Sequence, residues 1–125
     1  MSHFTTIETQ IKDIEALRAA CQEMGISLLQ DAEARGYSQN KIKGDYVLRL
    51  KGPYDVALNY QPDGSLGLTA DLWAGHVERE VGKNYGRLLQ LYGVHKAMRE
   101  ARRKGLLIKR SQRNDGAIKL VIAGV

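Results

Sequence analysis

Apolar positions along this chain switch between helical and alternating spacing, and each switch predicts an element. In 82–104, Tyr85, Leu88, Tyr92, His95 and Met98 recur at steps of three and four, with Leu89, Leu91 and Ala101 widening the stripe. That spacing predicts one long amphipathic helix. A shorter helix is predicted over 13–24: Asp13 offers an N-cap, Ile14, Leu17, Cys21 and Met24 follow at helical intervals, and Gly25 supplies the stop. From Gly44 the period falls to two. Tyr46, Leu48 and Leu50 alternate with Val47, Arg49 and Lys51, and beyond Gly52-Pro53, Val56, Leu58 and Tyr60 alternate with Ala57, Asn59 and Gln61. After the turn residues Pro62-Asp63-Gly64, Leu66, Leu68, Ala70 and Leu72 alternate with Gly67, Thr69, Asp71 and Trp73, which completes an antiparallel meander.

The rest of the pattern is weaker. His3–Thr9, with Phe4, Ile7 and three threonines, predicts a first strand, and Ile26–Gln30 a short second one. From Asp31 to Gly44 the chain is polar and mixed in charge with no sustained period, so it is expected to be a loop, free to cover a site, with a helical turn near 32–36 as the alternative. Leu106–Ile108, the turn Asn114-Asp115-Gly116 and the alternating Ile118, Leu120 and Ile122 predict a last hairpin. The order β-α-(β)-β-β-β-α-β-β with one apolar face per strand describes an α+β two-layer sandwich, a mainly antiparallel sheet with both helices on one face. One domain over 1–125 is expected. The other sheet face would then be open and carry Arg49, Lys51, Asn59, Gln61, Thr69, Asp71, Trp73 and Lys119.

Charge sharpens this picture. Between 83 and 113 there are ten Lys or Arg against the single acid Glu100, a net of +9, while the whole chain is +5 and the remainder therefore −4. The chain is polarised as well as basic. The candidate binding residues are Arg99, Arg102, Arg103, Lys104, Lys109 and Arg110, with Arg49, Lys51 and Trp73 on the open sheet face. Such a surface suits an acidic protein or a second copy of the chain, since opposite fields speed encounter. Nucleic acid is the alternative partner, with Trp73 stacking on bases, although no ribonucleoprotein-type aromatic motif occurs. A plain solvated helix face, with Glu100 and Lys104 paired four residues apart, would explain the same charges without a partner.

Other chemistry finds little support. The histidines His3, His76 and His95 have neither metal-ligand spacing nor a cysteine partner, so no metal and no cofactor are expected. His76 beside Asp71 and Glu78 is the best acid-base candidate, and His95 on the apolar stripe is expected to be structural. No nucleophile motif occurs, and Gly64-Ser65-Leu66-Gly67 lies between strands, unlike a phosphate loop. The lone Cys21 excludes an internal disulfide, lies on a helical apolar stripe and fits a reducing compartment. No apolar run approaches the roughly 18 residues that span a bilayer, and the start lacks a secretory pattern, so a cytoplasmic location away from membranes is expected.

The opening Met-Ser-His-Phe, the block Ala70-Asp71-Leu72-Trp73, the long Tyr-containing helix and the ending Asp115-Gly116-Ala117-Ile118-Lys119-Leu120 together resemble a family of small uncharacterised proteins of cyanobacteria and algal plastids, a domain of unknown function. The resemblance implies a soluble domain of a cytoplasm or plastid stroma and brings no activity, cofactor or catalytic residue with it.

Overall fold

The computed structural model describes residues 3–123, which leaves Met1 and Ser2 of the opening tetrapeptide outside the described residues. In chain order the elements are β1 (Phe4–Glu8), α1 (Ile14–Met24), β2 (Ser27–Arg35), β3 (Lys41–Arg49), β4 (Val56–Tyr60), β5 (Leu66–Asp71), α2 (Glu78–Val81), α3 (Gly86–Arg103), β6 (Leu107–Gln112) and β7 (Ile118–Ala123). The fold is α+β, as the pattern predicts. Five strands form one antiparallel sheet in the order β1-β5-β4-β3-β2, and β6 and β7 form a second, two-stranded sheet of their own.

Local chemistry explains the ends of α1. The Asp13 carboxylate accepts from the amides of Glu15 and Ala16, both at 3.1 Å, and Gly25 closes the helix in the left-handed region at φ 71°. From α3, the Tyr92 hydroxyl accepts from the amides of Lys12 and Asp13, and the Arg99 guanidinium reaches the Asp13 carboxylate at 3.2 Å. The two long helices are thus fastened where α1 begins. Their apolar sides meet the sheet in one core that includes Leu17, Cys21, Leu48, Val56, Leu58, Leu68, Leu88 and Leu91. Burial pushes the Cys21 thiol up to about 12, far from a reactive thiolate.

Residues 31–44 are not the expected loop. β2 and β3 form a long hairpin with a tight turn at 36–40, and its far half folds over the sheet face opposite the helices. Ala34 packs on Val47 and Ala57, with Leu29, Ala32 and Ile42 around them. Leu29 and Ala32 share that face although three residues apart, because Asp31 takes a positive φ of 50° and swaps the alternation. Gly44 makes the fold possible: a Cβ there would stand 2.3 Å from the Tyr46 carbonyl oxygen. Where β3 leaves β4, side chains continue the ladder, with Asp45 N donating to Asn59 Oδ1 and Tyr60 N to Asp45 Oδ2, both at 2.9 Å. The tip reaches β1 and β5 at the far edge, where Gly36 lies against the Phe4 ring and Tyr37 N donates to Asp71 Oδ2 at 3.2 Å.

This cover corrects the expectation of an open sheet face. Thr69 and Asp71 are buried, Asn59 is half-buried, Trp73 sits in a turn beyond β5, and Lys119 belongs to the separate hairpin.

Candidate functional site

The last third of the chain builds an exposed surface of mixed character. α3 ends in Arg102 and Arg103, and the amide of Leu106 bonds back to the Ala101 carbonyl, so β6 starts by turning directly off the helix. The hairpin then runs back along α3. Its turn is held by Gln90 Nε2, which donates to the Gly116 carbonyl at 3.2 Å, and Ile118 packs on the main core. Arg110 clamps the hairpin to α1 through a two-pronged contact with Glu23 at 2.9 and 2.7 Å, and His95 Nε2 meets the same carboxylate at 2.8 Å.

Those contacts sort the candidate cations. Arg99 and Arg110 spend their charge inside the molecule, on Asp13 and Glu23, and Glu100 pairs with Lys96 at 3.4 Å and not with Lys104. Arg102, Arg103, Lys104, Lys109 and Lys119 are exposed and, among the described residues, form no ion pair. Arg99, Arg102 and Arg103 line a hollow of about 400 Å³. Beside these cations, Leu107 is 64% exposed and Val121 47%, and the register puts both on one hairpin face with Lys109 and Lys119. The surface is apolar as well as basic.

Hydrogen bonds from Arg110 dominate the Glu23 carboxyl. Burial opposes them, the His95 contact adds to them, and the carboxyl is drawn down to about 2. A depressed folded-state value stabilises the fold fully above the unfolded carboxyl value of about 4.3, and the contribution fades as pH falls toward the folded value. Amide protection in β6 and β7 is therefore expected to weaken between about pH 4.3 and 2, and Glu23→Gln should abolish that pH-dependent component. Hydrogen exchange across this range checks it; a variant retaining the wild-type profile would mean that Glu23 does not hold the hairpin.

The acid-base candidates do not assemble. Asp71 is buried and accepts from the amides of Tyr37 and Trp73, while Glu78 accepts from the amide of Asn84. Among the described residues no hydrogen bond joins the His76 side chain to either acid. The His76 ring packs edge-on to Tyr54 at 5.0 Å and lies 6.1 Å from Trp73. Nor is there, among the described residues, a group of three His, Cys, Asp or Glu side chains placed to hold a metal ion.

Arg49 and Lys51 lie elsewhere, in a cluster that sequence reasoning missed. The Asp55 carboxylate, 0% exposed, accepts from Arg35 Nε and Nη2 at 2.8 Å each and from the amides of Arg35 and Leu50. Arg49 Nε stands 3.6 Å from it. Arg35 also donates to the carbonyls of Leu50 and Gly52, and Glu80 accepts from the amides of Lys51 and Gly52. Glu78 and Glu80 thus each serve particular backbone amides. A charged residue set in the apolar run Tyr54, Val56, Ala57 and Leu58 was the available signal for Asp55.

The model of a family described as "Protein of unknown function (DUF1257)" matches residues 20–121. The chain belongs to that family. In the red alga Pyropia yezoensis, the relative described as "Uncharacterized protein ycf35" is 25% identical over 124 residues, covering 98% of this chain and 96% of that protein. The resemblance to cyanobacterial and algal plastid proteins is borne out by both matches. No solved structure matches this DUF1257 member. Among its described residues, no helix is long and apolar enough to cross a membrane.

Proposed function

We propose that this DUF1257 protein is a non-catalytic docking module that binds an acidic protein surface through the end of α3 and the exposed face of the β6–β7 hairpin. One observation carries the proposal: five cations that, among the described residues, form no ion pair flank exposed Leu107 and Val121. Apolar side chains set among cations suit a protein interface, where desolvated apolar contacts supply affinity and opposite charge steers approach. A phosphate backbone would use the cations and leave Leu107 idle. The hollow beside Arg102 and Arg103 is the place for a partner carboxylate. The likeness to an algal relative along nearly the whole chain supports a cytoplasm or plastid stroma as the module's setting.

Capture from nuclease-treated native lysate tests it, with the wild-type chain compared against Arg102→Gln/Arg103→Gln/Lys104→Gln and against Leu107→Ser. The expected result is an acidic protein retained by the wild type and weakened about tenfold or more by either variant. Two results would overturn the proposal: loss of all capture on nuclease treatment, or micromolar retention on single-stranded RNA whose salt dependence shrinks in the triple variant and ignores Leu107→Ser.

A further inference from the structure

We propose that β7 pairs edge to edge with β7 of a second copy, joining two hairpins into a four-stranded antiparallel sheet about a two-fold axis. This goes beyond the docking proposal. The pairing uses the backbone edge of β7 and leaves Arg102, Arg103 and Lys104 free, so either proposal can fail without the other.

The turn fixes which backbone groups are free. Arg113 N donates to the Ala117 carbonyl at 2.7 Å, and Gly116 N bonds back to Arg113. In an antiparallel ladder the residue pairs that exchange bonds alternate, so the next bonded pairs are Ser111 with Lys119, Lys109 with Val121 and Leu107 with Ala123. The N–H and C=O groups of Ile118, Leu120 and Ile122 therefore point away from β6, off an edge that no other strand covers among the described residues.

That edge is unguarded. Sheet edges are normally protected by charges, proline or shortness. β1 has five residues and ends in Glu8, β2 carries Asp31, Glu33 and Arg35, and the free edge of β6 includes Arg110. β7 reads Ile-Lys-Leu-Val-Ile-Ala, β-branched and apolar with one charge, and Ile122 is 56% exposed. A two-stranded sheet is marginal alone and gains from added strands.

The sequence is also self-complementary about Leu120. With Leu120 of one copy opposite Leu120 of the other, Ile118 faces Ile122, and both pairs present the outward backbone groups that bonding requires. Lys119 then faces Val121, so the single cation meets no like charge. Moving the axis to Lys119 would oppose two lysines, which sets the register.

Sedimentation equilibrium of the full chain over about a hundredfold concentration range is the test, with proline scanning of the edge. The wild type is expected to pass from monomer to dimer as concentration rises. Ile122→Pro removes an outward N–H without touching a β6–β7 bond, and is expected to weaken pairing at least about tenfold. Ile122→Val, which keeps that N–H, should pair as the wild type does. Hydrogen exchange gives a second measurement independent of the proline: in the wild type, amides of Leu120 and Ile122 should gain protection with concentration, while those of Lys119 and Val121 are protected throughout. A wild type that stays monomeric, a dimer indifferent to Ile122→Pro, or concentration-independent protection at Leu120 and Ile122 would each overturn the proposal.

Discussion

Asp55→Ala is expected to destabilise the fold by about 3–5 kcal/mol, because it removes a fully buried carboxylate from two backbone amides and the Arg35 guanidinium. The carboxylate is fully buried and accepts four hydrogen bonds at once, two from the Arg35 guanidinium and one each from the Arg35 and Leu50 amides, with Arg49 Nε 3.6 Å away. Truncation leaves those donors facing a void. Asp55→Asn should do little better, because an amide turns at least one N–H toward donors. Burial alone would raise the Asp55 carboxyl, but the hydrogen bonds from the Arg35 side chain, from the Arg35 and Leu50 amides and the charge of Arg35 together hold it below its ordinary value. Its contribution is complete above the unfolded value of about 3.9 and is lost as pH falls through the lower folded value. Urea unfolding should therefore show the wild type losing stability below about pH 4 more steeply than Asp55→Asn. In a double-mutant cycle, Arg35→Ala with Asp55→Ala should cost less than the sum of the two single changes. Additive costs would mean that the two residues do not act as a pair.

Why the Asp55–Arg35 cluster escaped the sequence while the meander did not is a matter of range. Leu48, Leu58 and Leu68 announce themselves by local alternation, and Asp13 and Gly25 cap α1 with groups only a few residues away. The hairpin of β2 and β3 lacks that signature. In its far half the inward residues are small or half-buried, Ala34 buried and Ala32 half-buried among acids, and the left-handed turn at Asp31 breaks the period of two by which strands are recognised. Without pairing over 31–44, nothing local brings Arg35 to Asp55 or covers the sheet face beneath. The last hairpin was legible as a hairpin, yet its separation from the main sheet depends on pairing between distant strands, which local pattern does not encode. The same limit applies to the cations: sequence shows that 83–113 is basic, and only contacts divide Arg99 and Arg110, which are occupied, from Arg102, Arg103 and Lys104, which among the described residues are not.

Leu88→Ala is expected to cost about 2–5 kcal/mol, and the reason lies in how little else holds α3 in its helical form. The helix has 18 residues, no acid in its first turn and no side-chain cap, since it begins from Tyr85 in the left-handed region at φ 61°. A helix of that length is marginal on propensity alone, so packing must stabilise it. Leu88 is fully buried between the sheet and its helical neighbours Leu91 and Tyr92, and a cavity there cannot be refilled from solvent. Arg87→Ala, one position earlier and exposed, should change stability by no more than about half a kcal/mol. Equilibrium unfolding of both variants checks the contrast, and equal small effects would show that the stripe does not bear on the core. The same contrast bears on docking. The face of α3 that anchors the fold and its last turn that carries Arg102 and Arg103 are distinct, so the triple Gln variant should unfold like the wild type while its binding fails.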